Sequence, residues 1–379
     1  MLNGNRFIDA VASARRDAWQ AAPDGNTWAA FQCYGDPDWV FTRTQGDANQ
    51  PASVQDQGFD SIASAQALVL ALEIAIDDSR YKKVPKAQVI NMIEILESRF
   101  AHQWIEMGAV CEAFAQAWAE AGETERAIDW FERAIGANDG GASFKASEQL
   151  GDLWARRAWL QVNAAAKQSM QALSTVLNSA RKQTRDAINL LTRVCKLQPT
   201  LVRASLCGTA YKRLAWIEVL AKDKPAEQDA LQKMEAYFAE AQQRAIASDP
   251  SRAYEPALER LAAQLFIAAS APVKADILRV QAQLKPWVES SPDFQNVVAL
   301  TLSGLYLVLL DGKLKSNGDR LLNEFADLKR RVPAVLKWRE VQMQADFVLD
   351  RYKAVASKAE AVAVEEFKEK MKDWVKAQD

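Results

Sequence analysis

Residues 108–139, GAVCEAFAQAWAEAGETERAIDWFERAIGAND, decide how the rest of the chain is interpreted. Small and aromatic side chains recur at spacings of 3 and 4 residues in both halves of this stretch, including Ala115 and Trp118 in the first half and Phe131 in the second. Such spacings place side chains on one face of a helix. Gly122 lies between the halves, where a turn is expected. The stretch therefore predicts two antiparallel helices that approach closely at alanines, with aromatic rings filling the space around them.

This arrangement resembles the tetratricopeptide repeat, a helix-turn-helix unit of 34 residues. When Ala127 is aligned with repeat position 20, Gly108 falls on position 1 and Trp118 on position 11. Asp139 stands where the unit usually closes with a proline, which departs from the pattern. The resemblance implies that successive hairpins stack into an α-solenoid with a continuous core.

The register continues in two further, less regular copies. In the second copy, the residues that match positions 7, 8, 11, 20, 24 and 32 are Leu150, Gly151, Trp154, Ala187, Leu191 and Pro199. The third copy begins near Leu201, and its matching residues are Cys207, Gly208, Tyr211, Ala245 and Pro250. Trp154 and Ala187 lie 33 residues apart, far more than the repeat allows between positions 11 and 20. We therefore expect both helices of the second copy to be lengthened, and those of the third to be long as well.

Helical patterns also flank the three copies, so the chain is predicted to be mainly α. The composition agrees, since only 15 glycines and 12 prolines occur in 379 residues. The further predicted helices cover residues 60–80, 85–104, 256–271, 273–288, 292–310, 314–331, 333–352 and 354–379. The last of these is predicted to cap the stack, because a solenoid must cover the apolar face of its final unit.

The N-terminal segment has a different character. A helix is predicted over residues 6–21, and the aromatic and β-favouring run 26–41 predicts a strand that ends in a turn. Together, residues 14–39, ARRDAWQAAPDGNTWAAFQCYGDPDW, resemble the last helix and strand of a CHAT domain, the caspase-like peptidase domain associated with tetratricopeptide repeats. The run NTWAAFQCYGDPD at 26–38 is the most specific part, and the resemblance covers only about the first 40 residues.

The resemblance implies that the family's catalytic His and Cys would lie upstream, and no segment of this chain matches their motifs. Two interpretations stay open. The polypeptide is a split-off or truncated C-terminal part, or its helix and strand complete a sheet supplied by another chain. The predicted organisation is a CHAT-like remnant at 1–41, a polar linker at 42–59, tetratricopeptide-like repeats at 60–250, and C-terminal helical repeats and capping helices at 251–379.

Charge and cysteine usage narrow the classes of function. Lys and Arg total 47 against 49 Asp and Glu, so no overall field favours nucleic acid or an anionic membrane as a partner. The four cysteines form no CxxC pair, so neither a metal site nor a disulfide framework is predicted, and a reducing cytoplasm is expected. No signal peptide, membrane span or cofactor motif is found, and we expect no cofactor.

No catalytic residue is predicted in this chain. His102 is the only histidine, and its helical surroundings favour a surface or interhelical structural role. Cys33 belongs to the predicted closing strand, where a packing role is expected. Cys111, Cys195 and Cys207 fall on apolar helical faces and are predicted to lie in the core.

In tetratricopeptide arrays, the first helix of each unit lines a concave groove through repeat positions 2, 5, 9, 12 and 13. The polar residues at these positions are Glu112, Gln116 and Glu120 in the first copy, Lys145, Glu148, Asp152 and Arg156 in the second, and Ser205, Thr209, Lys212 and Arg213 in the third. The resemblance implies a groove that is acidic at one end and basic at the other and that grips a peptide or partner helix. The alternative is that these are ordinary exposed polar residues.

The function predicted from the sequence is a non-catalytic scaffold that binds a protein or peptide partner in this groove, within a system that contains a CHAT peptidase. The alternative is a non-catalytic part of a composite or split CHAT cysteine peptidase whose catalytic His and Cys lie upstream or on another chain. In that case the partner would be the rest of the peptidase.

Overall fold

The computed structural model describes residues 6–23, 59, 62–81, 84–267, 271–290, 293–331 and 335–376. The chain divides into two compact units, residues 1–61 and 62–379. Within the described ranges, the first unit contributes one helix and the second contributes fourteen. The helices are α1 Phe7–Ala21, α2 Ala65–Tyr81, α3 Lys86–Trp104, α4 Gly108–Glu120, α5 Thr124–Gly136, α6 Phe144–Gln168, α7 Met170–Leu197, α8 Leu201–Leu220, α9 Lys224–Ser248, α10 Tyr254–Ile267, α11 Ala271–Ser290, α12 Phe294–Leu310, α13 Leu314–Arg331, α14 Val335–Val355 and α15 Lys358–Lys376, with a 3₁₀ turn at Pro250–Arg252.

In the first unit, only α1 is described as a regular element. None of its residues is buried, and Arg6 at its start donates to Asp9 at 2.9 Å. The strand predicted within 26–41 lies outside the described residues, as does the predicted linker apart from Phe59. A helix-strand element therefore has no support from the described part of the unit.

The second unit is a stack of helical hairpins. Consecutive helices pair as α2 with α3, α4 with α5, and so on to α14 with α15, and most hairpins also pack on the next one along the chain. No β-strand occurs among the described residues. This order and packing are consistent with an α-solenoid, the fold class predicted from the sequence.

The hairpin of α4 and α5 has the structure that its pattern predicts. Gly122 has a φ of 75°, a left-handed conformation that glycine adopts without steric cost and that ends α4. Ala115 and Phe131 are fully buried. The ring of Phe114 stacks on a second-helix aromatic, Trp130, with centroids 4.7 Å apart. Small residues at the contact and aromatic rings around it therefore hold the two helices together.

In the next two hairpins, glycine occupies the contact between the helices. A Cβ atom on Gly151 would lie 2.6 Å from Leu191 Cγ, and one on Gly208 would lie 2.8 to 2.9 Å from the ring of Phe238. Real Cβ atoms essentially never approach other atoms this closely. Glycine at these positions therefore sets the distance between α6 and α7 and between α8 and α9.

Asp139, which aligns with the closing proline of the repeat that the sequence resembles, has a structural role of its own. Its carboxylate accepts hydrogen bonds from Gly108 N at 3.0 Å and from Gly141 N at 2.9 Å. Gly108 is the first residue of α4, where backbone N–H groups lack partners within the helix. These bonds lower the pKa of Asp139. Asp139 therefore caps α4 and joins the end of this hairpin to its start.

The helices predicted to be long are long. α6 has 25 residues and α7 has 28, while α8 and α9 have 20 and 25. The helices predicted after residue 250 are also present, although several begin or end a few residues away from the predicted bounds.

The C-terminal hairpin reaches back across the stack. α14 packs on α12 and α15, and it also contacts α8, which lies three hairpins earlier. The rings of Trp216 on α8 and Phe347 on α14 meet edge to face at 5.4 Å. Arg351 Nε lies 3.1 Å from a carboxylate oxygen of Glu227, near the start of α9. One core consequently runs from Ala155 to Met371, and it includes buried residues of α8, α12 and α14.

We predict that Gly208→Ala lowers the free energy of unfolding. Displacing Phe238 costs about 1–3 kcal/mol, which outweighs the gain of about 1 kcal/mol in helix propensity. Gly136→Ala is the matched control, because nothing lies within 4 Å of its added Cβ, and it should leave stability unchanged or raise it. Urea unfolding of both variants checks this, and a Gly208→Ala protein as stable as the parent would contradict it.

We also predict that Asp346→Asn changes stability in a pH-dependent way. Burial raises the pKa of Asp346 from 3.8 to about 6, although the Lys368 ammonium opposes the shift. A raised carboxyl pKa means that the neutral form stabilises the folded state at low pH, and that this contribution is lost as the pH rises through about 6. At neutral pH the free energy of unfolding of the variant should exceed that of the parent by about 1–2 kcal/mol. This is less than the full pKa shift implies, because the side chain is partly exposed to solvent.

At about pH 4 the variant and the parent should have nearly the same free energy of unfolding, because Asp346 is already largely neutral there. Urea unfolding at both pH values measures the difference. An equal gain at the two pH values would show that Asp346 does not titrate as described.

Candidate functional site

A cavity of about 400 Å³ lies among the first helices of five hairpins, α6, α8, α10, α12 and α14. Its polar lining comprises Asp152, Arg156, Thr209, Lys212, Arg213, Glu259, Gln295 and Gln344. Its apolar lining comprises Trp159, Trp216, Phe294, Val298, Leu302, Val341 and Met343. Five of the eleven residues predicted to line a groove are therefore brought together here, all from the second and third of the copies that the sequence predicts.

Aromatic contacts fix the apolar wall of the cavity. The rings of Trp159 and Trp216 lie 4.7 Å apart, and Phe294 meets Trp338 edge to face at 5.3 Å. Trp159 and Trp216 are 5% and 7% exposed. Because both belong to the main core, the wall is held by packing on several helices and is in place before anything binds.

Ion pairs between successive first helices use three of the four charged residues of the predicted groove that line the cavity. Asp152 on α6 accepts from Arg213 Nη1 on α8 at 2.6 Å. Lys212 on α8 donates to both carboxylate oxygens of Glu259 on α10, at 3.0 and 2.9 Å. These pairs are less than one-third exposed, so they join neighbouring hairpins more strongly than surface pairs do.

Lys212 lies at the centre of this network. Besides Glu259, it donates to Gln344 Oε1, and Gln344 Nε2 donates to Tyr306 Oη at 2.8 Å. Burial lowers the pKa of Lys212, and the Glu259 carboxylate opposes that shift. The network therefore ties α8, α10, α12 and α14 together at one end of the cavity.

The other six predicted groove residues lie outside the cavity. Glu112 is 7% exposed, and it accepts from Ser143 N at 2.8 Å and from Ser143 Oγ at 2.6 Å. Gln116 donates to the same carboxylate at 3.0 Å. Glu112 therefore joins α4 to the start of α6, and both oxygens of its carboxylate already accept hydrogen bonds within the chain.

The remaining four residues differ in exposure. Glu148 accepts from Arg203 Nε at 2.6 Å in a pair that is mostly buried. Glu120 and Ser205 are half-buried, and Lys145 is exposed at the start of α6. The partners Arg203 and Glu259 were not identified from the sequence, because each lies 47 or more residues from the groove residue it binds.

One charged side chain and one buried N–H of the cavity retain hydrogen-bonding capacity. Arg156 is exposed and forms no ion pair or hydrogen bond with any described residue. Trp159 Nε1 is buried, and it too has no hydrogen-bond partner in the described part of the chain. Both groups are donors, so the cavity can accept a ligand that supplies hydrogen-bond acceptors.

The described cysteines lie in the core, as predicted. Cys111, Cys195 and Cys207 are buried free thiols. Burial raises the pKa of Cys111 to about 11 and that of Cys207 to about 12. Both thiols are therefore protonated at neutral pH, the opposite of an activated nucleophile. His102 is exposed on α3, and Cys33 lies outside the described residues.

The described ranges contain no candidate metal-binding cluster and no candidate membrane span. No group of three or more His, Cys, Asp and Glu side chains there is arranged to hold a metal ion. No described helix combines the length and apolar character needed to cross a bilayer.

Comparison of the chain with models of known protein families gave no match, and comparison with curated protein sequences gave none either.

We predict that Lys212 and Glu259 are energetically coupled. Lys212→Met or Glu259→Gln alone leaves an unpaired charge, and each should lower the free energy of unfolding by about 1–3 kcal/mol. The double variant should lose less stability than the two single variants together, because neither charge is then left without its partner. Urea unfolding of the four proteins measures the coupling, and additive losses would contradict it.

Proposed function

We propose that the chain is a non-catalytic scaffold that binds a protein or peptide partner in the cavity among its first helices. The observation that supports this most strongly is the convergence of five predicted groove residues on one cavity. They come from two successive copies of the repeat, and they meet an aromatic wall that packing already holds in place. Preformed concave sites with an apolar wall and a few polar groups are typical ligand sites.

We further propose that the hairpins are degenerate tetratricopeptide repeats. The small residue between paired helices, the glycine turn after α4 and the use of first helices to line the cavity all support this assignment. The lengthened helices and the missing closing proline are its departures from the regular unit. Since Asp139 caps α4 at the proline position, that departure has a structural explanation.

The cellular setting that we propose is a cytoplasmic complex that includes a CHAT peptidase. The N-terminal resemblance motivates the peptidase, and buried free thiols suit a reducing compartment. A protein partner suits the small net charge of the chain better than nucleic acid or a membrane does.

The experiment is a pull-down from the source cells with the intact chain and with variants that fill the cavity, with bound proteins identified by mass spectrometry. Thr209→Trp and Gln295→Trp each place a large ring at the lining, at positions that are half-buried and exposed. We expect both to lose a partner that the parent protein binds while keeping their circular dichroism and melting temperature.

Gln283→Trp is the matched control, because Gln283 is exposed on the second helix α11 and outside the cavity. It should retain the partner. A version lacking residues 1–41 is included as well. If the cavity variants retain every partner and only this deletion loses a peptidase-like protein, the cavity proposal is contradicted and the composite peptidase is favoured.

A further inference from the structure

We propose that the cavity binds a peptide segment that presents an acidic side chain beside a large apolar one. This inference rests on the proposed function and specifies the partner's chemistry at the same site. Three features of the cavity support it: carboxylates that are already paired, donors that have no partner among the described residues, and an apolar wall.

Both carboxylates that line the cavity, and the amide oxygen of Gln344, are engaged within the chain. Asp152 accepts from Arg213, Glu259 accepts from Lys212 through both oxygens, and Gln344 Oε1 accepts from Lys212. A basic peptide would have to break these pairs to find an acidic partner, because no other carboxylate lines the cavity. Because both carboxylates are already paired, the cavity disfavours a cationic ligand.

The donors are not all engaged. Arg156 has a full positive charge at the surface of the cavity and no ion-pair partner among the described residues. Trp159 is only 5% exposed, and its Nε1–H has no acceptor in the described structure. A buried donor without an acceptor is destabilising relative to a bonded one. Because Trp159 lines the cavity, a shift of its ring on binding would bring this N–H within reach of an acceptor on the ligand and relieve that cost.

The charge balance leads to the same conclusion. The cavity is lined by three cations, Arg156, Lys212 and Arg213, and by two carboxylates, Asp152 and Glu259. One positive charge is left over, and the residue without a pair is Arg156. A single carboxylate on the ligand would neutralise this excess and could form a charge-assisted, bidentate contact with the guanidinium.

The apolar wall of the cavity accounts for the large apolar side chain of the proposed peptide. Trp216, Phe294 and Met343 line the cavity on α8, α12 and α14, beyond the α6 residues Arg156 and Trp159. A volume of about 400 Å³ admits one large side chain together with a carboxylate but not a whole folded element. An aromatic or long aliphatic residue next to Asp or Glu therefore matches both the wall and the free donors.

The test begins with selection of binders from a library of random short peptides displayed on phage, with the intact chain as bait. The selected peptides are then synthesised with a C-terminal amide, so that only a side chain can supply the carboxylate. We expect an Asp or Glu adjacent to an aromatic or large aliphatic residue. Replacing that acid by its amide should weaken binding by about ten-fold, measured by calorimetry.

Two variants of the chain then locate the carboxylate. Arg156→Gln removes the free cation, and Trp159→Phe removes the unpartnered N–H while keeping the ring. Each should weaken binding of the acidic peptide by about ten-fold, and Arg156→Gln should abolish the difference between the acid and its amide. Arg193→Gln is the control, since Arg193 is an exposed arginine on α7 outside the cavity.

The outcomes separate this inference from the proposed function. Binders without an acidic residue, or binding that is insensitive to Arg156→Gln but lost in Thr209→Trp, would overturn the inference and leave the cavity as the binding site. Failure to select any binder would overturn the inference too, because it states that a short segment is sufficient. Peptides that bind Thr209→Trp and Gln295→Trp as well as the parent would contradict the proposed function itself.

Discussion

The close approach of paired helices at a residue with little or no side chain is the constraint on which this structure depends. Ala115 in the first copy, and Gly151 and Gly208 in the next two, stand at this point. The neighbouring Leu191 or Phe238 leaves no space for a Cβ atom on either glycine. Each hairpin is thereby fixed as a rigid unit, and stacking such units buries a core that none of them could bury alone.

The position of the cavity follows from this stacking. First helices face the inside of the array, so residues that are far apart in sequence, such as Arg156 and Met343, line one space. The ion pairs between neighbouring first helices also fix how each hairpin is aligned with the next. The return of α14 towards α8, through the contact of Phe347 with Trp216, encloses the space on one side. The scaffold and the site are therefore products of the same packing.

Local patterns predicted much of the fold, and they did so for physical reasons. Spacings of 3 and 4 residues report which face of a helix is buried, so helices, turns and even the lengthening of α6 and α7 could be anticipated. The cap formed by Asp139 could not, because its bond to Gly108 joins residues 31 apart. The same limit applied to the cavity. The register singled out Lys212, which lines the cavity, but its partner Glu259 lies 47 residues away. A repeat register locates a face, whereas pairing across hairpins depends on the completed stack.

The most direct measurement is hydroxyl-radical footprinting of two methionines, with and without a bound partner. Met343 lines the cavity, whereas Met170 lies on α7, is 66% exposed and is not among the cavity residues. If the partner binds among the first helices, its presence should slow oxidation of Met343 and leave that of Met170 unchanged. Protection of Met170 with no change at Met343 would contradict the account, because it would place the partner on a second helix, outside the cavity.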